Sequence, residues 1–374
     1  MNNRIFLSSP HMSSEGYELE YIHDAFRKNW IAPLGENVTE FENTMADYMG
    51  GTSPVALSSG TAALHLSMIL AGVKPGDLVF CQSLTFAASA NPVSYLGASP
   101  VFIDSERETW NMDPAALEQA IALHGIPKAV VVVHLYGTPA RMQEITAICE
   151  KHGIVLIEDA AEALGSTYDG RRCGSLGDYG VLSFNGNKII TTSGGGMLLC
   201  PDHEKADMAL KLATQAREPF PWYQHEMIGY NYRLSNVCAG IGRGQMKVLP
   251  QRVDRKRGIF RRYRENLKDL PIQFQQEPEG SVANRWLTSV LLDERCKVSP
   301  GEIIALLGEH NIESRHLWKP LHSQPVFANA PYVTAENVSV SDDLFARGLC
   351  LPGDTKMTDA DVDWICALIR KALE

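Results

Sequence analysis

The chain has 374 residues, 45% hydrophobic and 21% charged, and a formal net charge of −10. Length and apolar content point to two or three domains with real cores, and the acidic balance without a basic run argues against nucleic acid as a partner, although a pocket can still be locally basic. No apolar run reaches membrane-spanning length and no secretory h-region opens the chain, so a cytoplasmic protein off the membrane is expected; the eight cysteines are too widely spaced for a zinc pair, so no metal site is expected and buried thiols are.

Residues 1–13 read as an irregular arm. A helix is predicted over 14–28, with Tyr17, Ile22, Ala25 and Phe26 as its buried positions. The loop Asn29-Trp30-Ile31-Ala32-Pro33-Leu34-Gly35 carries an unusual apolar load, and Trp30 serves either a core or a ligand. A second helix covers 36–48. A strand over 54–57, the turn Ser58-Ser59-Gly60-Thr61 and an apolar helix over 62–70 follow. That arrangement offers backbone N–H groups and a positive dipole end to a phosphate, and its hydroxyls serve equally as helix caps.

Strands at 78–82, 100–103, 129–134 and 154–157 then alternate with helices at 86–95, 113–122 and 141–152. Continuous apolar strands in βαβα order indicate a buried parallel sheet, and ligands of such sheets lie beyond the strands' carboxyl ends. Thr61, Phe86, His134 and Asp159 all fall there.

The segment 181–199 places a strand, the turn Asn185-Gly186-Asn187, Lys188, three glycines and a second strand in succession. Lys188 has no opposite charge nearby in sequence. A desolvated lysine is a usable amine nucleophile, whereas a solvated hairpin lysine is the bland alternative. Further on, a helix is predicted over 204–216, an aromatic, glycine-rich loop over 217–235, a helix over 236–249 and a basic helix with one solvated face over 252–264. Shorter elements follow, including a strand at 286–292 and helices at 300–310 and 359–373, giving a large domain over 1–250 and a smaller one over 251–374. Gly240-Ile241-Gly242-Arg243-Gly244 follows helical sequence and no strand, so it is not a dinucleotide fingerprint.

A phosphate cradle at Ser59-Gly60-Thr61, a strand-terminal Asp159, an amine at Lys188 and an aromatic at Phe86 are together what a pyridoxal phosphate site requires: an anion site, a carboxylate for the ring nitrogen, an amine for the carbonyl and a face to stack on. Six stretches make the resemblance specific: Asn29 to Ala32, Ser59 to Leu64, Glu158 to Ala161, Ser183 to Gly196, Ile228 to Arg233 and Trp318 to His322. Almost end to end, the chain resembles the DegT/StrS family of pyridoxal-phosphate sugar aminotransferases. The resemblance implies the α/β aspartate-aminotransferase fold (type I): a mostly parallel sheet flanked by helices, plus a smaller C-terminal α/β domain.

By the same resemblance, Lys188 is the Schiff-base lysine and proton carrier, and Asp159 the partner of the ring nitrogen. Ser59, Gly60, Thr61 and Ser183 hold the phosphate, Phe86 stacks on the ring, and Asn231 reaches the phosphate of the other subunit in a homodimer with shared sites. Asn29, Trp30, Ile31, Ala32, Arg315, His316 and Trp318 contact the nucleotide sugar. Two residues depart from many family members, Asn185 standing for His and Glu162 for Gln; a carboxylate at 162 has to be protonated or hydrogen-bonded. The Asn-Gly-Asn-Lys form resembles the subgroup that aminates C-4 of UDP-4-keto-6-deoxy-N-acetylglucosamine in bacillosamine pathways that feed glycan biosynthesis and protein glycosylation. The implied reaction is ping-pong: glutamate leaves as 2-oxoglutarate, and the amine passes to the keto sugar. The rivals are a C-3 aminotransferase acting on a dTDP-sugar, a non-catalytic regulator of the same fold, and a dehydratase, which Lys188 disfavours because such relatives carry His there.

Overall fold

Ala129-Val130-Val131-Val132-Val133 has no polar face, and the structure buries all five residues. The computed structural model describes residues 4–373. In it this strand, β4 (Ala129–Val133), lies inside an eight-stranded sheet. The spatial order is β1 (Ser53–Leu57), β9 (Gly196–Cys200), β8 (Tyr179–Ser183), β5 (Val155–Asp159), β4, β2 (Leu78–Gln82), β3 (Ser99–Ile103) and β14 (Tyr332–Val333). Only β9 runs against its neighbours; every other pairing in the sheet is parallel.

Because side chains alternate across a strand, Ala129 and Val131 enter one core with α3 (Gly60–Leu70) and α7 (His203–Ala213). Val130 and Val132 enter another with α5 (Pro114–His124) and α6 (Met142–His152). A four-stranded sheet, β10 (Ile272–Phe274), β12 (Thr288–Leu292), β15 (Gly348–Leu351) and β13 (Arg315–His316), makes the second body. It packs on α9 (Pro300–Glu309), α11 (Asp359–Leu373) and the far half of α8 (Asn236–Asn266). A small sheet joins β6 (Thr167–Tyr168) to β7 (Arg171–Arg172) and β11 (Ser281–Val282). The expected α/β fold of type I is what the chain adopts.

Four local expectations are corrected. The segment 86–95 is not one helix: a 3-10 turn over Ala87–Ser89 precedes α4 (Asn91–Tyr95), which places Pro92, with no N–H to donate, in the first turn. Conversely, α8 runs through Pro250 as one helix where the sequence predicts two, over 236–249 and 252–264. Its basic stretch is not simply solvated: Arg252 and Lys256 are buried, and Arg255 and Arg262 pair with Asp359 and Asp363 of α11. In α1 (Tyr17–Arg27), Phe26 is exposed and Glu18 is buried instead. Glu18 accepts from the Ser13 hydroxyl at 2.6 Å and stands where α1 crosses α8.

The glycines at 240, 242 and 244 let α1 and the helix before β1 lie close against α8. A Cβ on Gly242 would stand 2.7 Å from the Phe41 ring of α2 (Glu36–Met49), and one on Gly244 2.6 Å from the Glu18 backbone. Nothing in the sequence signalled β14 or α10 (Val340–Arg347). All eight cysteines are unpaired, six of them buried. Among the described residues no helix is long and apolar enough to cross a membrane.

Candidate active site

Four chain segments end at one cavity of about 360 Å³. After β1, the chain turns through Ser58 and Ser59 into α3. Ser59 is the N-cap, its hydroxyl accepting from Ala62 N–H at 3.0 Å. The next two N–H groups, of Gly60 and Thr61, occupy helix positions that have no intrahelical acceptor, and both residues line the cavity, an arrangement suited to an anion. Its shape depends on a glycine across the β1–β9 pair: a Cβ on Gly196 would stand 2.3 Å from the Ser59–Gly60 backbone. Ser183, at the end of β8, lines the same wall.

Asp159 terminates β5 and is 5% exposed. One carboxylate oxygen accepts from the Ser89 hydroxyl at 2.7 Å and the other from Ala161 N–H at 3.2 Å. Thr85 stands 3.0 Å behind Ser89, oxygen to oxygen. Phe86, between them in sequence, exposes its ring at the mouth, tilted against Trp318 with centroids 5.2 Å apart. Trp318 is held by its own N–H, which donates to the Tyr136 hydroxyl at 2.8 Å, while its indole N–H is shielded from solvent without an acceptor.

Lys188 lies in the turn after β8, where its N–H donates to Asn185 O at 3.0 Å. Its amine does have a charge partner, which sequence distance concealed: Glu162 Oε1 is 3.5 Å away. The other Glu162 oxygen accepts from Tyr136 N–H at 2.7 Å, with Tyr136 held at a left-handed φ of 55°. Burial pushes the Glu162 carboxyl above its ordinary range, against the pull of Lys188 and of the Tyr136 N–H. The Lys188 amine also sits 4.2 Å from the centre of the Trp286 ring, a cation–π contact that shields it from water.

The cavity thus gathers Ser59, Gly60, Thr61, Phe86, Asp159, Glu162, Ser183, Asn185, Lys188 and Trp318. Within this single chain the other expected residues lie elsewhere. Trp30 lines a separate cleft with Asn236, whose side-chain amide donates to Trp30 O and whose backbone N–H donates to Ala32 O; Asn29 and Ile31 are exposed beside them. Arg315 and His316 are exposed in β13, and Asn231 is exposed and paired with Thr214. Sequence reasoning missed Trp286, Tyr136, Thr85 and Ser89. Ser89 and Thr85 flank Phe86 closely enough to have been found, but Trp286 and Tyr136 reach the site only through the fold.

The donor set suits pyridoxal phosphate: a cradle kept open by Gly196, a carboxylate opposite an aromatic face, an amine in a shielded wall and an orphaned indole N–H. The comparisons agree. The family model described as the DegT/DnrJ/EryC1/StrS aminotransferase family matches residues 13–370. EpsN of Bacillus subtilis (strain 168) is 52% identical over 96% of this chain and 93% of its own. A GDP-perosamine synthase of Caulobacter vibrioides is 35% identical over 99% and 98%. Spr1654 of Streptococcus pneumoniae, solved in its PLP-form, superposes with a TM-score of 0.91 at 26% identity, covering 100% of both chains. With the cradle, carboxylate and amine in place, this chain belongs to the DegT/DnrJ/EryC1/StrS family and is a pyridoxal phosphate-dependent sugar aminotransferase.

Proposed function

We propose that the chain moves an amino group from glutamate to C-4 of a UDP-linked 4-keto-6-deoxy sugar, UDP-4-keto-6-deoxy-N-acetylglucosamine. The observation that carries the transamination is the pairing of the Lys188 amine with a buried carboxyl, opposite the hydrogen-bonded Asp159. Support for the substrate is the Asn185-Gly186-Asn187-Lys188 turn, together with relatives named for amination of nucleotide-linked sugars.

Bound pyridoxal phosphate supplies a carbonyl that takes up an amine and a protonated ring that accepts the electrons of a broken C–H bond. The chain's residues supply everything else. Gly60 and Thr61 N–H groups and the Ser183 hydroxyl bind the phosphate. Asp159, oriented by Ser89 and Ala161, would accept the ring N–H. Lys188 Nζ would take up and return the proton of the substrate carbon, with Glu162 Oε1 standing 3.5 Å from it. Phe86 and Trp318 cover the mouth and exclude water.

Asn231 acts on the partner's phosphate in a homodimer. It is exposed, and the loop before it exposes Trp222, Tyr223 and Ile228, the last by 84%, an apolar surface suited to a second copy of the chain. The test is the holoenzyme with glutamate and a panel of UDP-, dTDP- and GDP-linked 4-keto and 3-keto sugars, with product position read by NMR. Preferred amination of C-4 on the UDP sugar is expected. Preference for another nucleotide or for C-3 overturns the substrate, and no amination of any overturns the reading.

A further inference from the structure

Lys256 is 2% exposed on α8, behind the active-site wall. Both of its hydrogen-bond acceptors are neutral: its amine donates to Trp286 O at 2.9 Å and to Ser8 Oγ at 3.1 Å. Both acceptors converge on one atom. The Ser8 hydroxyl donates to Asn187 O at 2.8 Å, and the Trp286 indole N–H donates to the same oxygen at 2.7 Å. Asn187 immediately precedes Lys188, and the Trp286 ring is the face against which the Lys188 amine rests. A buried amine is costly to keep without a carboxylate, so its place here calls for an explanation. Burial pushes this one down to about 7, and Asp354 acts on it only in the opposite direction.

We infer that Lys256 is a positioning residue for Lys188: from α8 it ties the N-terminal arm, through Ser8, and the Trp286 carbonyl to the back of the Asn187–Lys188 turn, and so sets where the Lys188 amine stands. The inference rests on Lys188 being the amine that takes the cofactor. Four chain regions that share no local sequence meet at this knot, which makes the turn rigid where a hairpin loop is ordinarily mobile. A rigid turn keeps the amine on the Trp286 face and beside Glu162 without ordering cost at each turnover.

The experiment measures the rate at which cofactor-free protein attaches pyridoxal phosphate covalently, with the linkage reduced by borohydride and located by mass. Wild type, Lys256→Met and Ser8→Ala are compared, with Ile365→Val in the small-domain core as a control of lowered melting temperature. Each variant loses two hydrogen bonds, so attachment should slow by about tenfold or more in both Lys256→Met and Ser8→Ala, and the control should be unchanged. Hydrogen exchange over residues 5–13 should quicken in both variants. Wild-type rates in both variants overturn the inference; if Lys256→Met does not fold, a wild-type rate in Ser8→Ala overturns it alone. Failure of the wild-type protein to attach cofactor at Lys188 overturns the functional reading itself.

Discussion

Ser89→Ala tests the electrostatics of the site without touching a group that meets the substrate. The substitution removes one oxygen and leaves the rest of a fully buried side chain in place, so the cavity it opens is smaller than a methyl group. It deletes the 2.7 Å hydrogen bond to Asp159 Oδ2 and the 3.0 Å contact with Thr85. Asp159, 5% exposed, keeps only the Ala161 N–H at 3.2 Å. A hydrogen bond to a charged group contributes about 1.5–3 kcal/mol when its loss leaves the charge unsatisfied. The long second bond and the open cavity give partial relief, so about 2 kcal/mol is expected here. In cofactor-free protein this appears as lost stability to urea. In the holoenzyme, where Asp159 is proposed to hold the ring proton, the same free energy corresponds to roughly a thirtyfold slower half-reaction with glutamate as the proposed donor, since each 1.36 kcal/mol is tenfold. Stopped-flow absorbance at pH 8 and urea unfolding measure the two. A half-reaction within about twofold of wild type, with stability lowered by less than about 0.5 kcal/mol, would refute the idea that Ser89 holds the Asp159 carboxylate.

Lys188→Ala should abolish turnover while still binding cofactor noncovalently in the Gly60–Thr61 cradle; equilibrium dialysis with an activity assay checks both, and normal amination by the variant sinks the assignment. For Glu162→Gln the folded chain loses a carboxyl that burial raises above its ordinary value of 4.5. A raised acid holds its proton longer folded than unfolded, so wild-type stability should fall relative to the variant as pH rises from that value through the folded pKa, and the two curves should run parallel below it; an opposite slope in denaturation midpoints contradicts the assignment. Lys188→Ala and Asn231→Asp, each inactive alone, should complement as heterodimers: both defects then fall on one site, and the other site is intact. Verified heterodimers without activity would assign Asn231 to its own subunit's scaffold.

The large-domain alternation was legible from the sequence because its signals are local: all-apolar strands, caps within a residue of helix starts, and a small-residue turn between β1 and α3. For the same reason the cradle, Asp159 and Lys188 could be found, each being a residue type at a strand end or turn. Local rules also misled. Pro250 predicts a break, but α8 packs along α1, α2 and α11, and that packing carries the helix past one missing hydrogen bond. Basic residues predict a wet face, and Arg261 and Arg264 keep one, but α11 and the N-terminal arm cover the other side and leave Lys256 buried. What only the tertiary structure decided is the pairing of groups far apart in sequence. Glu162 meets Lys188, and Trp286 shields it, because β5 and β8 are adjacent in the sheet and the segment leading into β12 folds back over their carboxyl ends. Periodicity reports which face of an element is apolar; it does not report which other element will cover that face, and the chemistry of this site depends on that choice.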